Sequence, residues 1–154
     1  MPANYGLLSK AGAPTDGVDE VQSLTIDAEG GTYTLTFGGQ TTTAIAFDAT
    51  AAQVQAALRA LSSIGSSGVS VTGDGPYTIT FGGALSGLPQ AEITTDATNL
   101  TGGAGTAVVA QVTEGVRGDY RGAPVKQPLV DTTNRKIYQN SGTAAKPVWA
   151  EVSV

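Results

Sequence analysis

From Val21 onward apolar and polar residues alternate, first as VQSLTID and then, after AEGG, as TYTLTFGG. Alternation at period two marks a strand with one buried face, so the pair predicts a β-hairpin. In its second strand Tyr33, Leu35 and Phe37 share one face and Thr32, Thr34 and Thr36 the other. TTTAIAFD, ending at Asp48, predicts a third strand. The phrase then returns: residues 33–39 read YTLTFGG and residues 77–83 read YTITFGG. Tyr77, Ile79 and Phe81 repeat the apolar face, following VSVTG and the turn GDGP. AEITTDA and TAVVAQVTEG predict later strands, and the body closes near Gly115. The repeat holds no acid and no metal ligand, so it specifies packing rather than chemistry.

Between the two phrases the period changes. In DATAAQVQAALRALSSIGSSG, Thr50 and Gln53 fit a capping box, and Val54, Ala57, Leu58, Leu61 and Ile64 recur at helical spacing. Gly65 stands where a C-terminal cap belongs, so one helix is predicted from about 50 to 64. Its narrow, Ala-rich stripe suits packing on a sheet. Residues 1–20 hold Gly, Pro and Asp breakers without apolar periodicity and predict an extended N-terminal arm. Residues 116–154 are richer in Pro and basic residues. There PLVDTTNRKIYQN predicts a small hairpin in which Leu129 and Val130 answer Ile137 and Tyr138 across a turn at Thr133 and Asn134, followed by a strand around Trp149. The fold class expected is mainly β (α+β): a small β-sandwich or β-sheet domain at 21–115 with one packed helix, the arm before it and an interaction tail at 116–154.

Composition removes several kinds of chemistry. The 154 residues include no Cys and no His, which excludes disulfides, thiolates, His-ligated metals and imidazole catalysis. No cofactor or metal is expected. Asp48 sits at a helix start, Asp74 in a Gly-rich turn and Asp131 before a hairpin turn, where carboxylates serve local hydrogen bonding, and nothing places any two of these, Asp96 or the Glu residues together as a catalytic pair. No run approaches a membrane span, and the N-terminal residues lack a signal-peptide pattern. The net charge of −5 is divided: residues 1–116 carry ten acids and two bases, a balance of −8, and residues 117–154 three acids and six bases, a balance of +3. Acidity of the body argues against nucleic acid as a partner. The basic tail suits an acidic neighbour, including another copy's body.

A hairpin and one strand are too few to stand alone in water. The aromatic and aliphatic groups of the arm and tail are therefore the candidate interface: Tyr5, Leu7 and Leu8 in the arm, and Tyr120, Leu129, Ile137, Tyr138 and Trp149 in the tail. Protein contact is favoured over sugar stacking for the tail. The arm is expected to become ordered against a neighbour by adding a strand to a sheet edge.

The stretch from VQSLTID through YTLTFGGQTTTAIAFDATAAQVQAALRAL to VSVTGDGPYTITFGGAL resembles a module of virion structural proteins in tailed bacteriophages, particularly those infecting actinobacteria. GAPVKQPLVDTTNRKIYQNSGTAAKPVW resembles a short segment of phage head-decoration and fibre proteins. The resemblance implies a non-enzymatic capsid decoration (cement) protein on the outer surface of the head. Its implied partners are the major capsid protein and two further copies in a homotrimer. A tail or fibre component that binds host-surface glycan is the alternative, and an envelope-acting enzyme lacks a catalytic constellation.

Overall fold

The computed structural model describes residues 7–152, and the chain is mainly β with one α-helix. The strands are β1 (Leu8–Lys10), β2 (Val21–Asp27), β3 (Gly30–Phe37), β4 (Gln40–Thr41), β5 (Ile45–Ala46), β6 (Val69–Thr72), β7 (Tyr77–Phe81), β8 (Thr94–Asp96), β9 (Leu100–Thr101), β10 (Thr106–Thr113), β11 (Pro128–Asp131), β12 (Lys136–Asn140) and β13 (Trp149–Val152). Helix α1 (Ala51–Arg59) lies between β5 and β6.

One sheet of the body runs β10-β2-β7-β6, with antiparallel neighbours throughout. The other is built on β3, which pairs with β4 and β8 at its Phe37 end and with β5 and β9 nearer Gly30. Leu24, Tyr33, Leu35, Phe37, Val69, Tyr77, Ile79 and Phe81 from both sheets join Val54 and Leu58 of α1 in one core. The alternation read from the two repeated phrases is thus the burial seen.

The expected hairpin between β2 and β3 does not form: the two strands belong to different sheets. The turn between them is a corner. Glu29 N–H donates to the Thr101 carbonyl at 2.8 Å, and Gly31 holds φ +86° where a Cβ would lie 2.0 Å from the Asn99 carbonyl oxygen. Alternation requires that a face be buried without saying which strand lies alongside. The chain buries both faces by crossing over, so the repeated phrases face each other. The predicted third strand is split into β4 and β5 by Thr42, whose buried hydroxyl accepts the Leu35 N–H at 3.1 Å.

The helix is capped as predicted, with Thr50 and Gln53 completing the box, yet it ends at Arg59 rather than near Ile64. Ser62 and Ser63 are drawn out of it by the β3–β4 turn. Gln40 Nε2 donates to Ser62 Oγ at 2.6 Å, Ser63 N–H donates to Gln40 Oε1 at 2.8 Å, and Ser63 Oγ donates to the Phe37 carbonyl at 3.0 Å. Leu61 and Ile64 remain buried in the turns that follow.

Beyond the body, β11 and β12 form the expected hairpin, with Leu129 opposite Tyr138 and Val130 opposite Ile137. The arm supplies what the tail alone lacks. β1 adds parallel to β11, giving a four-stranded sheet β1-β11-β12-β13 made from both ends of the described chain. The body is therefore inserted between two parts of one terminal module, whose lead-in and lead-out strands meet at the Val18–Val116 bridge.

Candidate interaction surface and the junction that carries it

Leu129 is fully buried in the terminal module, where it joins Ala123 and Trp149, with Leu8, Tyr120 and Tyr138 packed around them. The Tyr120 and Trp149 rings meet edge to face with centroids 6.2 Å apart. Trp149 Nε1 donates to the Asp119 carbonyl at 3.2 Å, and the Tyr120 hydroxyl donates to the Ser9 carbonyl of β1. Leu8, Tyr120, Arg121, Gly122 and Ala123 line an open cavity of about 330 Å³ beside this cluster.

The eight candidate interface residues thus divide. Leu129 and Trp149 are turned inward and covered within the chain. Leu8, Tyr120, Ile137 and Tyr138 are half-buried, and Leu7 is exposed. Tyr5 lies outside the described residues.

Polar residues lock the arm to the tail. Asp131 closes the LVDTTN turn by accepting the backbone N–H groups of Thr133 at 2.8 Å and Asn134 at 3.1 Å, and it reaches Gly12 N–H of the arm at 2.9 Å. Burial raises the pKa of this carboxyl, but the hydrogen bonds from Asn134, Thr133 and Gly12 prevail and hold it below the ordinary value. Asp16 accepts the Trp149 N–H at 2.7 Å, and Lys10 pairs with Asp119.

A second set joins terminal module to body. Asp19 accepts Ser86 Oγ and Gly87 N–H, each at 2.7 Å, and pairs with Lys146 at 2.7 Å. Burial pushes its carboxyl up, and these donors together with the Lys146 charge bring it below the usual range. Arg121 reaches from the tail to the carbonyls of Ala84, Ser86 and Ala145. Glu20 is wholly buried; it accepts Gly115 N–H at 2.7 Å and Gln111 Nε2 at 2.8 Å. Its neighbour Gln22, also buried, holds Ile93 N–H and the Ala91 carbonyl at 3.0 Å each. Burial raises the Glu20 pKa, and the bonds from Gly115, Gln111, Gln22 and Gln90 outweigh that to lower it.

None of Asp19, Glu20, Arg121 and Lys146 stands out in the sequence as a site. One signal was present: Glu20 and Gln22 share the parity of Leu24, which puts two polar groups on the inward face at the start of a strand.

The carboxylates do not all stand apart as expected from their spacing. Asp48 and Asp74 line one cavity of about 290 Å³ with Ile26, Phe47 and Tyr77. The Tyr77 hydroxyl donates to the Ala49 carbonyl, and its pKa is raised by burial first and then by the charges of Asp74 and Asp48. No third carboxylate completes a metal-ligating group among the described residues. Tyr33, fully buried, has a hydroxyl with no partner there, and burial pushes its pKa up.

No protein-family model matches the chain. It is similar to the tail sheath protein of Mycobacterium phage Bxz1, with 37% identity over 126 residues that cover 80% of this chain and 21% of that protein. The chain therefore spans about a fifth of the length of that relative. A solved structure from Mycobacterium phage Patience aligns with a TM-score of 0.45 at 16% identity, covering 90% of this chain and 58% of that one.

Proposed function

We propose that this chain is a non-enzymatic structural component of a tailed-phage virion, displayed on the outside of the particle. The observation that carries the reading is the 37% identity to part of a mycobacteriophage tail sheath protein, which extends over 80% of the chain. The way the fold uses its charged groups agrees with it. Asp19, Glu20, Arg121 and Asp131 are spent on holding backbone and joining the module to the body, as suits a part that must keep its shape under load.

Similarity to a tail sheath protein favours a place on the tail. Capsid decoration is the second reading, supported by the resemblance of residues 122–149 to segments of head-decoration proteins. On that reading the partners are the major capsid protein and two further copies about a local threefold, and the chain strengthens the shell by bridging capsomers. A fibre component that meets host-surface glycan shares the tail location.

Separating heads from tails of disrupted virions, then probing each fraction with an antibody against residues 21–115, distinguishes these places. Signal in the tail fraction is expected. Signal confined to heads would select capsid decoration, and signal in neither fraction of intact, purified particles would overturn the virion reading.

A further inference from the structure

Several strand edges among the described residues are closed or short. At β6, the helix reaches over: Gln55 Oε1 accepts Val71 N–H at 3.0 Å, and Arg59 Nε donates to the Val69 carbonyl at 2.8 Å. On β13, Asp16 takes the Trp149 N–H at 2.7 Å. β1 is only three residues long. Side-chain caps, charges and short strands are the ordinary ways in which a sheet edge is kept from pairing with another chain.

β10 has almost none of these. It is eight residues long, reads TAVVAQVT without a charge or a proline, and forms the opposite edge of the sheet from β6. Its outward backbone groups follow from the ladder. Phe81 N–H donates to the Glu20 carbonyl, which turns the even-numbered residues of β2 toward β7 and leaves Ser23 and Thr25 facing β10, opposite Ala110 and Val108. In an antiparallel ladder the alternate residues Ala107, Val109 and Gln111 then face away from β2. The Thr95 hydroxyl donates to the Ala107 carbonyl at 2.7 Å, in agreement with that direction. No side chain among the described residues caps the backbone of Val109 or Gln111.

The side chains repeat the message. Val108 and Val112, on the outer face, are 54% and 62% exposed, and they stand symmetrically two residues either side of Ala110. We propose that β10 is the strand through which two copies of this chain join, running antiparallel about a twofold axis at Ala110. In that register Val109 lies opposite Gln111 of the second copy, so the outward N–H and C=O groups of both satisfy each other. Val108 lies opposite the second copy's Val112, and both exposed valines are covered by cross-strand pairs.

A second copy is the occupant because the strand is complementary to itself. Each chain carries a net charge of −5, which resists contact between like copies over most of the surface. Around the centre of β10 the outer face is formed by Val21, Ser23, Thr25, Thr78 and Thr80, none of them charged, and its one acid, Asp27, stands at the far end of β2 opposite Thr106. The bulge between Gln111 and Thr113 falls at Val112 and bends the strand there, so the backbone pairing is centred on Val109–Gln111 and Val112 contributes its side chain at the rim. The contact is independent of where on a particle the protein sits.

Sedimentation equilibrium of the full chain tests this with two double variants, both altering only exposed side chains. The unsubstituted chain is expected to dimerise with rising concentration. Val108→Lys with Val112→Lys sets Lys against Lys at both pairs and should weaken dimerisation by about 10-fold or more at low salt. Val108→Lys with Val112→Glu sets Lys against Glu across the same axis and should recover association in a salt-sensitive form. An unsubstituted chain that stays monomeric at its highest soluble concentration, or equal association of all three chains, would overturn the pairing. A Lys/Glu chain that associates no better than Lys/Lys would overturn its register. Circular dichroism melts confirm that each chain is folded.

Discussion

The rings of Phe37 and Phe81 meet across the core of the body with centroids 5.3 Å apart and planes inclined by 41°. Each is the fifth residue of a repeated phrase, so a repetition in sequence becomes a contact between two sheets. Phe81 is wholly buried and Phe37 nearly so. Truncation of either to Ala is expected to cost about 3–5 kcal/mol. Because the rings touch, the two losses should also be coupled, by about 0.5–1.5 kcal/mol in a double-mutant cycle. Denaturant unfolding of the four chains measures both quantities. Strictly additive losses would contradict the contact.

Glu20 supplies a pH dependence with a definite sign. Its folded-state pKa is lowered, against about 4.3 for an unperturbed Glu, so its stabilisation is complete above that value and is lost as pH falls through the folded-state value. Glu20→Gln removes the charge and sets an amide N–H₂ among groups that already donate. A loss of about 1–3 kcal/mol is expected at neutral pH. The gap between the two chains should narrow in acid, as measured by urea unfolding across the pH range. A gap that stays constant into acid would contradict the role assigned to the carboxylate.

Trp149 is the only tryptophan, and its burial depends on a strand from the other end of the described chain. Replacing Leu8 by Glu places a charge in the cluster of Leu129, Tyr120 and Trp149. Trp149 emission should then shift to longer wavelength and become accessible to iodide, while the far-UV spectrum of the body is retained. Unchanged emission would mean that β1 does not cover the terminal module.

Alternation at 32–37 and 77–81 displayed the buried faces because a strand's side-chain period is local. The capping box at Thr50 and Gln53 was legible for the same reason, and so was the pairing of Leu129 with Tyr138 across a short turn. What the sequence concealed was partner choice over long separations. β2 and β3 are adjacent in the chain yet lie in different sheets, and β1 finds β11 across the whole body. The junction was hidden likewise, because Asp19 and Lys146, or Glu20 and Gly115, become neighbours only when the ends of the body are brought together. Tail residues that looked unpaired in sequence, Leu129 and Trp149, are covered by a strand that breaker residues had disguised as an arm.

The central claim is the proposed place in a tailed-phage virion, and immunogold electron microscopy of intact, purified particles carrying the gene for this chain, with an antibody against the body, tests it most directly. The account predicts regular labelling on the outer surface of the particle without prior disruption. Particles that remain unlabelled when intact and also lack the chain by mass spectrometry, while infected cells contain it, would contradict a structural role in the virion.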